Sequence, residues 1–171
     1  TWEGDLGNTE FLQVNIIQVD NTLCGYTWDY LYNDRGSYCN ANFTGYYDKN
    51  RKDWVLNGTS FNDNSGDHIL MRIRVKPKIV NGRKVLEGYE TDASITGSLF
   101  SLLNRQNVYL RKVSNKPRLM LTYMKDCIKM NQPKKSLTVR RPYVIKKSLP
   151  FTKPIVTKKK DTAKKPIIVK K

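Results

Sequence analysis

The chain holds one histidine, His68, which excludes a metal site built from several imidazoles and leaves imidazole-based triads without support. His68 follows a polar segment, where a solvated strand residue is the expectation. Glu87 and Glu90 are close in sequence, but residues three apart on a strand point to opposite faces, so they are not expected to act as a carboxylate pair. The run Asn62-Asp63-Asn64-Ser65-Gly66-Asp67 has the composition of a calcium loop without its spacing or its terminal bidentate Glu, and reads as a polar turn. There is no phosphate loop, no Gly-x-Ser-x-Gly elbow and no Cys-x-x-Cys. The expectation is a non-enzymatic chain with no catalytic residue, no metal and no cofactor.

Two other residue types could serve a site. Tyr26, Trp28, Tyr30, Tyr46 and Trp54 are candidates to line a cavity, and aromatic walls suit an apolar or glycan-like ligand; the alternative is that they only fill a core. Cys24, Cys39 and Cys127 allow three single pairings with one thiol left over. Cys24 and Cys39 flank one predicted hairpin, though not directly opposite each other, and three buried reduced thiols are an equal reading.

Such residues need a scaffold, and residues 1–113 supply short alternating segments separated by turn-formers. Phe11–Val19, Cys24–Leu31, Tyr38–Tyr47 and Trp54–Phe61 read as strands, with turns at Asp20-Asn21, Asn33–Gly36 and Asp48–Lys52. Asn62–Asp67 reads as a loop. Ile69, Met71, Ile73 and Val75 alternate with Leu70, Arg72 and Arg74. Asn81-Gly82 between Ile79-Val80 and Val85-Leu86 is a strong hairpin signal, and Val108–Val113 closes the set. About eight meandering strands hide their edges best by closing, so the expected fold is all-β, a small up-and-down antiparallel β-barrel over residues 1–116. Residues 117–130 read as a short helix or a connector, because Met120, Tyr123, Met124 and Cys127 recur on one helical face after Pro117.

Trp2-Glu3-Gly4 at the opening, the alternation over 69–75, the hairpin ending in Leu86-Glu87-Gly88-Tyr89 and the closing Tyr109–Val113 together resemble exported lipocalin-like (calycin-type) barrels of Gram-negative bacteria. The resemblance covers residues 1–113 and departs from typical lipocalins in lacking their full Gly-x-Trp opening. It implies a small ligand carried in the barrel and an exported setting. The start at Thr1, on a strand-like segment, fits a chain whose export signal has been removed.

Charge divides the chain. Residues 1–127 carry 16 Lys and Arg against 14 Asp and Glu, whereas residues 128–171 carry 15 against the single acid Asp161. Of the net +16, residues 131–171 supply +13, and this extended tail also holds five of the seven prolines. Within it Arg141-Pro142-Tyr143-Val144-Ile145-Lys146-Lys147 recurs twelve residues later as Lys153-Pro154-Ile155-Val156-Thr157-Lys158-Lys159, and again as Lys165-Pro166-Ile167-Ile168-Val169-Lys170-Lys171. Apolar triplets gated by lysine and proline suit strand addition to a partner sheet edge, which makes Pro142 to Ile145, Pro154 to Val156 and Pro166 to Val169 candidate partner-binding residues. The expected function is a binding or structural component of a bacterial cell-envelope assembly, periplasmic or associated with the outer membrane, with the barrel as anchor and the tail as docking arm to a large or repeating protein partner. Three alternatives stand beside it: polyanion or nucleic-acid binding by the tail, a small-molecule carrier in the barrel, and a cytoplasmic location. No run of about 18 apolar residues is present to form a transmembrane helix.

Overall fold

The structure is a computed structural model and describes residues 1–94 and 105–132. Eight strands, β1 (Trp2–Leu6), β2 (Glu10–Val19), β3 (Thr22–Leu31), β4 (Tyr38–Asp48), β5 (Asp53–Ser65), β6 (Met71–Val80), β7 (Arg83–Asp92) and β8 (Gln106–Lys112), are followed by one helix, α1 (Thr122–Asn131). Each strand pairs antiparallel with the next, and β8 pairs back onto β1, from Trp2 opposite Lys112 to Leu6 opposite Val108. The expected up-and-down barrel is therefore the observed fold, and closure leaves none of the eight strands with a free edge along its full length.

Alternation builds the inside. Leu12 and Val14 on β2, Leu23 on β3, Phe43 on β4, Leu56 on β5, Ile73 and Val75 on β6, Leu86 on β7 and Val108 and Leu110 on β8 form one buried cluster. Trp2 closes it, with its ring edge-on to Trp54 at 6.2 Å between centroids. Gly25 lies on this inner face because a Cβ there would overlap the Asn15 carbonyl oxygen and the Phe43 ring.

The two ends of the barrel differ. At one end the connections have two, four and two residues; Asn81 and Gly82 there both adopt positive φ, 49° and 74°, as the two-residue hairpin requires. At the other end the connections β1–β2, β3–β4 and β5–β6 have three, six and five residues, and the last two supply Ser37 and His68 to a mouth there.

Two expectations are corrected. Asn62–Ser65 continues β5 instead of forming a loop, because the Asn62 amide donates to Asn40 Oδ1 at 2.8 Å and Asn42 Oδ1 at 2.9 Å while Tyr38 donates to Asp63 at 2.9 Å. Cross-strand partners thus satisfy side chains that otherwise favour turns. The helix starts at Thr122 rather than at Pro117, and the segment before it lies on the barrel wall, where the Arg118 and Leu119 backbone N–H groups donate to Asn15 Oδ1 and the Tyr26 hydroxyl at 2.9 and 3.1 Å. α1 packs outside β2 and β3, burying Met124 and joining Cys127 to Cys24 in a disulfide with Cα atoms 6.4 Å apart. Cys39 is free and buried; it faces Asp29 across the β3–β4 ladder, five positions along from Cys24, which faces Thr44.

Candidate functional site

The alternation that fills the core also sets the mouth. Two residues before Leu12, and so on the same face, β2 begins with Glu10. Asp29 lies opposite Leu12 on β3, Glu90 opposite Ile73 on β7, and Gln106 opposite Glu90 on β8. The strands thus run in phase from apolar to polar side chains as they approach the end with long connections. There they line a cavity of about 410 Å³ together with Leu6, Leu31 and Met71, under Ser37, Asp67, His68 and Ile69.

His68 reaches into this cavity from the connection between β5 and β6, with a side chain only 11% exposed, so the expectation of a solvated residue is wrong. Its Nδ1 stands 2.9 Å from Asp29 Oδ2, and its Nε2 3.1 Å from Ser37 Oγ. The connection is pinned by Asn64, whose amide donates to the His68 carbonyl at 3.1 Å, and turned by Gly66 at φ 122°, a value that favours glycine. Ligating atoms of Glu10, Asp29 and His68 all lie within 4.8 Å of one another.

The electrostatics of this end are unbalanced. Asp29 is 1% exposed and Glu90 6% exposed, yet among the described residues Asp29 Oδ1 and Glu90 Oε2 find no donor beyond the Cys39 thiol beside Asp29, which is a weak one. Burial pushes the Glu90 carboxyl up to about 7, with Glu10, Asp92 and Asp29 adding to the effect. Burial likewise raises Asp29, against the opposing pull of His68, and raises Glu10. Desolvated carboxylates without enough positive partners favour whatever neutralises them, a proton or a bound cation.

The contacts of His68 have the order found in a Ser–His–Asp triad, hydroxyl on Nε2 and carboxylate on Nδ1. Acyl transfer also needs donors aimed at a developing oxyanion. Here Glu10 and Glu90 line the same cavity, and their negative charge would oppose that oxyanion. The arrangement suits a cation better than an anionic transition state.

Among the aromatic candidates only Trp54 turns inward, against the core. Trp28 is 46% and Tyr46 42% exposed, which corrects their placement inside. Tyr26 and Tyr30 share the outer face with Trp28, because Thr27 and Asp29 take the inner one; Tyr26 is buried beneath the segment that leads into α1. Tyr30 stacks on Phe11 at 4.9 Å, and Trp28 and Tyr38 lie 6.3 Å apart on the outer wall. The tail candidates from Pro142 to Val169 lie outside the described residues. Glu10 and Asp29 were not singled out from the sequence, and Glu90 only for its spacing from Glu87; the available signal was an acid standing in phase with the apolar alternation of its own strand. Comparison with family models, curated proteins and solved structures finds no match to this chain.

Proposed function

We propose that this protein is a non-enzymatic binding protein whose barrel holds a small cationic ligand at its mouth. The observation that carries the reading is a pair of buried carboxylates, Asp29 and Glu90, that line a cavity large enough for a small molecule and each hold one oxygen, Oδ1 and Oε2, without a hydrogen-bond partner among the described residues. A positive group placed there would offset the negative charge of both side chains, and the apolar Leu6, Leu31 and Met71 would cover a short alkyl portion. This is the carrier reading of the barrel, narrowed to cations by the charge of the mouth.

The tail adds a docking function on the strength of its twelve-residue repeat, whose gated apolar triplets fit strand addition to a repeating partner. The Cys24–Cys127 disulfide supports an exported setting, because cytosolic thiols are held reduced.

Calorimetric titration of the full chain tests the ligand class. Butylammonium should bind, n-butanol should not, and Asp29→Asn with Glu90→Gln should weaken butylammonium at least about tenfold, which corresponds to roughly 1.4 kcal/mol. Equal binding of the alcohol, or a double variant that binds butylammonium as well as the wild type does, would contradict the reading.

A further inference from the structure

We infer that the mouth also forms a binding site for a divalent transition-metal ion, coordinated by Glu10, Asp29 and the Nδ1 of His68. This rests on the cation-binding reading and goes beyond it by naming ligands, geometry and ion class. Zinc-type ions hold imidazole nitrogen and carboxylate oxygen at about 2.0–2.2 Å, so two such donors at the tetrahedral angle stand roughly 3.4 Å apart. His68 Nδ1 and Asp29 Oδ2 are 2.9 Å apart, a hydrogen-bond distance, so an ion that displaces the shared proton needs them to part by only about half an ångström. Glu10 is half-buried at the rim, and its carboxylate lies within 4.8 Å of both, so a side-chain adjustment closes the third position.

A cluster of acids alone would be weak evidence. Two further observations separate this one from an ordinary polar rim. Asp29 and Glu90 are each more than nine-tenths buried, each with an oxygen left unsatisfied among the described residues, and both line the cavity. An uncompensated buried oxygen is costly, and a divalent ion offsets that cost more fully than a single hydrogen bond does. The second observation is the hydroxyl of Ser37 at 3.1 Å from His68 Nε2. An ion bound at Nδ1 would replace the proton shared with Asp29, and Nε2–H would then donate to this oxygen, which is the outer support that metal-binding imidazoles commonly have. Ser37 is then a positioning residue, and Glu90 supplies further negative charge from the opposite wall.

The donor set selects the ion. One imidazole and two carboxylates suit zinc or manganese better than calcium, which prefers six to eight oxygens, and zinc should bind more tightly than manganese. The site leaves coordination positions directed at the cavity, so an ion there would present itself to small anionic or neutral donors entering the mouth.

The experiment uses the untagged full chain and Zn²⁺, Mn²⁺ and Ca²⁺ as probes, read by calorimetry and by ¹⁵N NMR of the imidazole, which is unambiguous because His68 is the only histidine. Zinc should bind one ion per chain and move the Nδ1 resonance, manganese should broaden it, and calcium should leave it in place. Glu10→Gln and His68→Gln should each weaken zinc by more than the 10–100-fold that loss of an outer partner costs. Glu87→Gln, at an exposed acid paired with Lys78, should leave zinc affinity unchanged. The manganese broadening uses the unaltered protein, so it decides the matter even where a variant misfolds. Zinc that binds without moving the His68 resonance, or equally well to both variants, overturns the metal site. If butylammonium still depends on Asp29 and Glu90 in that case, the cation-binding reading stands alone; if neither butylammonium nor zinc binds, both fall.

Discussion

At the scale of single residues, the mouth places acids where burial works against their charge, and this predicts an unusual pH dependence. The Glu90 carboxyl is pushed up to about 7 from an ordinary 4.5, mainly by burial, so between those values the folded state holds a proton that the unfolded state releases. Stability is therefore full below the unfolded value and is lost as pH rises through the folded one. With no cation added, the urea midpoint should fall between pH 5 and pH 8, and Glu90→Gln should flatten that fall and raise the midpoint at pH 8. A wild-type midpoint constant over this range would show that Glu90 is solvated. Cys39 is the counterpart on the opposite side of Asp29: burial first, then the Asp29 charge, push its thiol up to about 12. It should resist iodoacetamide in the native state at pH 8 and react once the chain is unfolded in urea, since the thiolate is the reactive form. The sequence made one of these residues partly legible, because the spacing of Glu87 and Glu90 predicts opposite faces. Glu87 does point outward to Lys78 at 2.7 Å while Glu90 is buried. That the inward face at Glu90 is a mouth, and not more core, depends on which strand ends come together, a property of closure that no single strand carries.

At the scale of elements, turn chemistry and alternation made most strands legible, from the Asn81-Gly82 hairpin to the inward set of Met71, Ile73 and Val75. The reading failed where a polar segment found partners across the ladder. Asn62 and its neighbours have turn composition, but Asn40 and Asn42 on β4 hold them in β5, and two register shifts beside Asn40 and Asn42 accommodate them. It failed again on the aromatics of β3, since alternation states that Tyr26, Trp28 and Tyr30 share a face without stating which face is inside. Cys24 decides the outer side here, because it belongs to the same even-numbered set and is bridged to α1. The bridge spans 103 residues and holds α1 against the barrel wall. Replacing both Cys24 and Cys127 by alanine should cost about 2–5 kcal/mol in urea unfolding. A loss below ~1 kcal/mol would mean that burial of Met124 and the Tyr123 hydrogen bond to the Phe43 carbonyl hold the helix by themselves.

At the scale of the whole molecule, barrel closure is what turns separate acids into a site. Glu10, Asp29, His68 and Glu90 come from three strands and one connection, and only the closed sheet brings them to one cavity. The net charge, the most visible feature of the sequence, resides mostly in residues 131–171 and says nothing of this acidic mouth within a nearly neutral domain. The central claim is that a cation enters the end of the barrel with the long connections. It is tested most directly by two-dimensional NMR of the full chain during titration with butylammonium. The account predicts shift changes that converge on Glu10, Asp29, His68, Glu90 and Gln106 and leave the Trp2–Trp54 end and the outer Trp28–Tyr38 wall unmoved. Shifts centred on that outer wall or on the Trp2–Trp54 end, with the mouth residues unchanged, would contradict it.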